Sequence, residues 1–428
     1  MGEGVKKVTS HGVIGGDTLF GRRSIGPSVH PARRIRGTKS KKLLDRTIVV
    51  GITGSIAAVK CVELIRELIR HGADVFPVMT EDALGIVTAD AIEFAAGRRP
   101  VTQLTGDMSY IDLCGTEGEA DLLLVAPCTA NTVSKIATGI DDTTVTTFAT
   151  NALGSGIPLV IAPAMHESMY EQPIVKANVE RLRSVGVEVL QPIMEEDKAK
   201  LADVDVIVAH VIRKLGPSEL AGKKVVVIAG GTSEPIDDVR VITNVSTGGT
   251  GVALALAAFE RGANVQLWLG RHDVPVPSFL AVTPFETTAD LERMAKDLEC
   301  DYCLVPAAIA DYRPRRVKGK IPSGKGGLTV DFEGTPSILA AIRKRSECVL
   351  VGFKLESGVP AAELVRRSKA RIKERGLDFI VANDLGKVRR DRTSVVIVDT
   401  KGRTKAFAGP KAVAADVIWE AVLHGLGK

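Results

Sequence analysis

Thr47-Ile48-Val49-Val50-Gly51-Ile52-Thr53-Gly54-Ser55 decides the fold, because an apolar β-branched run passes through a glycine turn straight into a helix-period segment. A run without polar alternation suits a strand buried on both faces. Beyond the turn, Val62, Ile65, Leu68 and Ile69 share one face of a helix reaching to about His71. Gly72 ends that helix, and Asp74-Val75-Phe76-Pro77-Val78-Met79 reads as the next strand. The same opening returns later as Lys224-Val225-Val226-Val227-Ile228-Ala229, then Gly230-Gly231-Thr232, a long loop and a helix from about Gly251 to Arg261. Gly262-Ala263-Asn264-Val265 then starts a strand, as Gly72-Ala73-Asp74-Val75 did. Two doubly wound α/β domains with parallel sheets are therefore expected. Right-handed crossovers put both glycine turns at the carboxyl edge of a sheet, beside a helix N-terminus, where anions bind.

The division falls in Leu215-Gly216-Pro217-Ser218-Glu219-Leu220, giving domains at 47–217 and 218–428 behind a basic leader, 1–46. A length of 428 residues fits two or three cores, and 45% hydrophobic with 25% charged residues is the balance of a globular chain. Only 4% are aromatic, which favours helix-covered parallel sheets over aromatic-rich sandwiches. The net charge of +5 is uneven: the leader carries eleven Lys or Arg against three Asp or Glu, so the remainder is mildly acidic. That distribution, without interleaved aromatics in the leader, argues against nucleic acid as a partner. The leader has two readings, a disordered solvated segment or, through Ile35-Arg36-Gly37-Thr38-Lys39-Ser40, a strap over the first domain. No apolar run approaches the ~20 residues of a membrane span, so no membrane is expected and a cytoplasmic location is. Cys300 and Cys303 form a C-x-x-C without a second pair, at the start of an apolar strand, and read as buried structural thiols.

Neither glycine turn has the G-x-G-x-x-G spacing, and the second strand ends in Met79-Thr80 where a ribose-binding carboxylate would stand, so a nicotinamide site is disfavoured. Thr53, Gly54 and Ser55 instead offer N–H groups and hydroxyls to a phosphate monoester. Three further segments join this turn: Ala126-Pro127-Cys128-Thr129-Ala130-Asn131-Thr132, Gly139-Ile140-Asp141-Asp142, and Pro163-Ala164-Met165-His166-Glu167-Ser168-Met169-Tyr170. Together, over about residues 47 to 195, they resemble the flavin-dependent cysteine decarboxylase family. That resemblance implies a flavodoxin-like flavoprotein domain binding FMN through Gly54, Ser55, Thr80, Pro127, Thr129 and Asn131, and substrate through Met165, His166 and Met169. It also implies the chemistry: a carboxylate beside a plain thiol carbon has no electron sink, and oxidation of the thiol to a thioaldehyde supplies one. Three positions depart from the family pattern. Tyr110 stands where the family has a catalytic His, His166 replaces an Asn, and Met194-Glu195-Glu196-Asp197-Lys198-Ala199-Lys200 lacks the flap Cys. Tyr110 and His166 are the candidate catalytic groups, since His166 keeps a proton-transfer side chain in the pocket.

The second half lacks G-x-x-x-x-G-K-[ST] but has an ordered series of other segments. These are Gly230-Gly231-Thr232-Ser233-Glu234-Pro235, Asn244-Val245-Ser246-Thr247-Gly248-Gly249, Ala307 to Asp311, Lys320, Pro336-Ser337-Ile338-Leu339, Phe353, and Lys369 with Lys373. The series resembles the phosphopantothenate-cysteine ligase family over about residues 222 to 425. The resemblance implies a Rossmann-like nucleotide-binding domain that activates the carboxylate of 4'-phosphopantothenate with CTP or ATP and Mg2+ for attack by cysteine. It assigns Asn244 and Ala307 to substrate, Asn244 and Lys320 to catalysis, and Asp311, Lys320, Pro336, Ser337, Ile338, Leu339, Phe353, Lys369 and Lys373 to nucleotide. Metal ligands stay unassigned. Gly249 stands where many bacterial members have Lys. Taken together, the halves imply consecutive ligation and decarboxylation steps of coenzyme A biosynthesis, in a homo-oligomer of flavin-domain trimers and ligase-domain dimers. The alternatives are a ligase carrying a structural flavin domain, and a non-catalytic flavin-binding regulatory protein.

Overall fold

The computed structural model describes residues 30–322, 327–356, 358–384, 386 and 389–426. In the first domain five parallel strands lie in the order Asp74–Met79, Thr47–Ile52, Leu122–Cys128, Leu159–Pro163, Glu188–Val189. Ile48, Val50 and Ile52 enter one core with Leu64, Ile65 and Leu68 of the helix Cys61–Arg70. Val49 enters the opposite core with Val145 and Phe148 of the helix Thr144–Ser155. Successive side chains of one strand thus meet helices on both faces, as a doubly wound sheet requires. Full burial of each such side chain stabilises by roughly 1.5–3 kcal/mol, more than any single helix cap at about 1 kcal/mol.

The second domain carries eight strands in the order Ala281–Pro284, Asn264–Leu269, Lys224–Ala229, Tyr302–Val305, Val349–Glu356, Phe379–Asp384, Arg392–Asp399, Thr404–Pro410. The first six are parallel, and the last two form an antiparallel hairpin at one edge. Val225 and Val227 pack with Leu254 and Trp419, whereas Val226 and Ile228 pack with Leu291 and Ile342 on the other face. Both expected α/β domains are present, and the second adds the antiparallel edge. Among the described residues no helix is long and apolar enough to cross a membrane.

Where it is described, the leader follows the second of its two readings, a strap on the first domain. Residues 30–46 belong to the first domain, and residues 1–29 lie outside the described residues. The N–H groups of Gly37, Lys39 and Leu43 donate to the carbonyls of Ile69 (3.0 Å), Arg70 (2.9 Å) and His71 (2.9 Å). They add donors at the carbonyl end of the helix Cys61–Arg70, and Leu43 is fully buried beneath them. The basic charge here is structural: Lys39 pairs with Glu67, and Arg46 with Asp121 at 2.6 Å.

A second cap joins the domains. Arg213, in the last helix of the first domain, Val204–Leu215, donates to the carbonyls of Phe259 (2.6 Å), Gly262 (2.9 Å) and Ala263 (2.9 Å). These carbonyls close the helix Gly249–Glu260 of the second domain, and the guanidinium lies 4.5 Å from the centre of the Phe259 ring. Lys42 adds ion pairs to Glu260 and, at 3.1 Å, to Asp416. Arg213→Ala strands a cluster of carbonyls and is expected to cost about 1–3 kcal/mol. Calorimetry should show the unfolding of the two domains drawing apart, and one unshifted transition would contradict this role.

Candidate active sites

Each sheet reverses its strand order beside its first strand. In the first domain the reversal lies between Thr47–Ile52 and Leu122–Cys128, so the loops leaving these strands part at the carboxyl edge. Thr53 spans that gap: its hydroxyl donates to the carbonyl of Pro127 (2.8 Å) and accepts from the N–H of Thr129 (3.1 Å). The expected offer of this hydroxyl to a phosphate is therefore corrected, since Thr53 is 1% exposed and committed to fastening the two loops.

Around Thr53 three helical segments begin. Ser55 caps Ile56–Lys60, Thr80 caps Glu81–Leu84 and Thr129 caps Ala130–Thr138, each hydroxyl accepting from a first-turn N–H. A Cβ on Gly54 would stand 2.4 Å from Cβ of Asp82, so the turns after the first two strands touch with no room for a side chain. Pro127 follows a cis peptide bond, and Asn131 is exposed at the start of its helix. The cradle of close glycine backbone, helix N-termini and hydroxyls fits a flavin phosphate.

Met165 and His166 leave the same edge, since the N–H of Ala164 donates to the carbonyl of Cys128 at 2.9 Å. They form a short strand whose partner is Lys198–Lys200, which pairs in turn with Ile193–Glu195. The hairpin of residues 193–200 is thereby fixed against Met165 and His166, with His166 opposite Lys198 and both His166 and Met169 exposed. Tyr110 sits on the separate helix Ser109–Cys114, half-buried, its ring edge-on to Phe148 at 6.4 Å. Among the described residues no hydrogen bond joins Tyr110 to His166. Cys128 is fully buried, which pushes its thiol far above the usual range, and it acts in packing.

In the second domain the reversal lies between Lys224–Ala229 and Tyr302–Val305. The N–H of Ala307 donates to the carbonyl of Ile228 (3.0 Å), that of Ala308 to the carbonyl of Gly230 (2.8 Å), and the Asn244 amide to the carbonyl of Ala308 (3.2 Å). Buried Thr232 accepts from the N–H of Ala310 at 3.0 Å, and Thr243 donates to the carbonyl of Thr232 at 2.7 Å. A cavity of about 500 Å³ opens here, lined by Ile242, Thr243, Asn244, Ala310, Asp311, Tyr312 and Phe332. It brings together Asn244 and Asp311, 67 positions apart in the chain. Thr335 donates to the carbonyl of Ala310 (2.6 Å) and its N–H to that of Asp311 (3.0 Å), which fastens Pro336 to Leu339 to the same loop. Gly352 pairs with Val305, so Phe353 stands one residue beyond, level with Pro306 and Ala307.

Lys320 is exposed on a segment held by two acids that the sequence did not single out. Asp237 accepts from the N–H groups of Val239 (2.8 Å), Arg240 (2.7 Å) and Ile321 (3.0 Å), and Asp238 accepts from Gly319 (3.1 Å) and Arg316 (2.9 Å). Burial pushes the Asp237 carboxyl up, but these N–H groups and the Arg240 guanidinium together hold it well below the usual carboxylate range. Lys369 and Lys373 lie elsewhere. Their helix, Ala361–Arg375, leads back toward the amino edge, and Nζ of Lys369 is 2.7 Å from where a Cβ on Gly402 would stand, in the turn of the edge hairpin. Within one chain the structure does not bring them to the Asn244 cavity.

Residues 36–216 match the family model described as Flavoprotein, and residues 220–426 match that of the DNA/pantothenate metabolism flavoprotein C-terminal domain. The chain is 44% identical over 400 residues to the coenzyme A biosynthesis bifunctional protein CoaBC of Thermococcus kodakarensis, spanning 92% of this chain and 99% of that one. The chain belongs to the CoaBC family. Its similarity to CoaBC of Methanocaldococcus jannaschii is 36% over 405 residues, spanning 93% and 98% of the two chains. CoaBC of Bacillus subtilis is 33% identical over 362 residues, spanning 80% and 87%.

In this CoaBC-family chain the Asp237 anchor has a stated pH range. Its folded pKa is depressed, so its stabilisation is present above the ordinary carboxylate value of about 4 and is lost as pH falls through the lower folded value. Hydrogen exchange at Gly319 and Ile321 should stay protected from about pH 7 down to about pH 5. Loss of protection within that range would contradict the anchor.

Proposed function

We propose that this chain ligates cysteine to 4'-phosphopantothenate and decarboxylates the product to 4'-phosphopantetheine, each step at its own strand-order reversal. The observation that carries the reading is that two such sites, each inside the residues matched by its own family model, stand on one chain. FMN is the flavin of the first site, and when bound it supplies the reversible oxidation of the substrate thiol that makes the neighbouring carboxylate labile. Gly54, Ser55, Thr80, Pro127, Thr129 and Asn131 hold it. Met165, His166 and Met169 hold the substrate under the hairpin of residues 193–200. With no thiol in that hairpin, His166 and Tyr110 are the groups assigned to moving the protons of decarboxylation.

In the second site the substrate carboxylate attacks the α-phosphorus of the nucleotide, releasing pyrophosphate, and the cysteine amine then displaces the nucleoside monophosphate. Asn244, with one N–H anchored on Ala308, turns its remaining amide groups to the substrate, and Ala307 lines the same loop. Lys320 offsets the charge that gathers at phosphorus, while Asp311, Pro336 to Leu339 and Phe353 surround the nucleotide, CTP or ATP. A Mg2+ ion bound with that nucleotide would offset the charge of its phosphates. Lys369 and Lys373 stand outside this cluster within one chain. The protein works as a homo-oligomer, with trimers through the flavin domain and dimers through the ligase domain. Ile56 and Val59, 77% and 55% exposed beside the flavin turn, favour a subunit contact there. Its location is the cytoplasm, where the six cysteines, all free in the structure, stay reduced.

Two variants separate the steps. Asn244→Asp should lower pyrophosphate release at least about tenfold and leave decarboxylation of supplied phosphopantothenoylcysteine unchanged, and His166→Gln should do the reverse. Equal loss of both activities in either variant would contradict two independent sites.

A further inference from the structure

The hairpin packed against Met165 and His166 turns on two residues ill suited to the turn. Glu195 pairs directly with Lys198, so only Glu196 and Asp197 connect the strands Ile193–Glu195 and Lys198–Lys200. A two-residue connection with φ above zero at both positions is favoured by Asn-Gly and Asp-Gly pairs. Here Glu196 and Asp197 adopt φ of 52° and 54° without a glycine, a conformation that persists where the surroundings enforce it. Two contacts do so. Ala199, paired with Met165 on one side and Met194 on the other, is fully buried, and the N–H of Glu167 donates to the carbonyl of Asp197 at 3.0 Å.

The register pinned in this way decides which side chains meet. Cross-strand partners share a face of a sheet, and successive residues of a strand alternate between faces. His166, Lys198 and Glu195 therefore form one row across three strands, on the face opposite the buried Ala199. Directly opposed residues have Cβ atoms about 5 Å apart, so Lys198 is within a side chain's reach of whatever His166 touches. Its neighbour Lys200 is committed, paired with Glu195 at 3.0 Å and Glu196 at 2.8 Å. Lys198 lies in the field of Glu196, but among the described residues no ion pair or hydrogen bond holds its ammonium.

Decarboxylation replaces a carboxylate by a hydrogen, so each CO2 lost requires one proton at the carbon that carried it. An ammonium kept on the carboxylate would stabilise the ground state and slow the loss. One placed at that carbon can instead give up a proton as charge develops there. We propose that Lys198 is the proton donor of the decarboxylation, passing a proton from Nζ to the carbon that loses CO2. This assignment rests on the decarboxylase reading and deepens it. Loss of CO2 from the thioaldehyde form leaves an ene-thiolate, and the proton from Nζ converts it to a thioaldehyde one carbon dioxide shorter. The hydride removed from the thiol carbon at the outset then returns to it, the sulfur regains its proton, and Nζ is reprotonated from water. His166 and Tyr110 keep the proton that leaves and returns at sulfur.

The test follows a single turnover of supplied phosphopantothenoylcysteine by the full-length, FMN-loaded protein, reading CO2, the mass of the thiol product and the flavin absorbance. The wild type should give one phosphopantetheine per CO2 and recover its flavin colour. Lys198→Gln should form phosphopantetheine about a hundredfold more slowly while still releasing CO2, leaving the flavin bleached and a thiol product two hydrogens short of phosphopantetheine. Lys198→Arg keeps the charge without a transferable proton and should behave like Lys198→Gln. Lys198→Cys gives the hairpin a thiol, as the family pattern has, and should restore both the product and the colour. Full FMN content in each variant shows that the domain is folded. The donor role is overturned if Lys198→Gln keeps the wild-type rate and product, if Lys198→Arg rescues as well as Lys198→Cys, or if CO2 and phosphopantetheine fall together in a fixed ratio. No CO2 from the wild type would instead overturn the decarboxylase reading, and the donor role with it.

Discussion

Everything functional in this chain depends on one constraint of doubly wound sheets. When the strand order reverses, the two loops at the reversal run to opposite faces and leave a crevice that no crossover covers. Here the reversal occurs beside the first strand of each domain, at Thr47–Ile52 and at Lys224–Ala229. Both crevices are floored by glycine because the backbone passes against other backbone: Gly54 meets Asp82, and Gly231 lies 2.9 Å, measured from a built Cβ, from the carbonyl of Asn244. The fastening across each gap is a buried threonine hydroxyl, Thr53 in one and Thr232 in the other. The two crevices share a plan and differ in what lines them.

Cap chemistry makes the separate sheets one molecule. Helix ends leave carbonyls that must find donors, and the donors come from distant parts of the chain. The leader closes Cys61–Arg70 with backbone N–H groups, and Arg213 closes Gly249–Glu260 with its guanidinium. Both serve the amino edges of the sheets, so the carboxyl edges are left free for ligands. The Asp237 anchor follows the same logic on a smaller scale, using one buried carboxylate to hold the segment that presents Lys320.

The core strands were legible in the sequence because short apolar runs between helix-period segments have few alternatives: Asp74–Met79, Lys224–Ala229 and Tyr302–Val305 lie where the pattern puts them. The antiparallel edge Arg392–Pro410 was not, since periodicity does not report strand direction. Asn244, Ala307 and Asp311 were found through family motifs, and the cavity joins the first and last of them. Thr53 was legible as a turn hydroxyl but not as a loop fastener, because its acceptor and donor come from Pro127 and Thr129. Asp237, Arg213 and the strap at residues 30–46 carry no periodic signal at all. The partners that give them their roles, Ile321 for Asp237, Phe259 to Ala263 for Arg213 and Ile69 to His71 for the strap, are backbone atoms distant in the chain, which side-chain patterns do not encode. Lys369 and Lys373 show the converse: their spacing put them on one helix face, but not which edge of the sheet that helix would serve.

The central claim is that one chain completes two chemically distinct steps. Its most direct test supplies the purified full-length protein, loaded with FMN, with 4'-phosphopantothenate, cysteine, Mg2+ and CTP or ATP, and measures pyrophosphate and CO2 in the same reaction. Equal amounts of the two products at completion are predicted, whereas pyrophosphate without CO2 would contradict it.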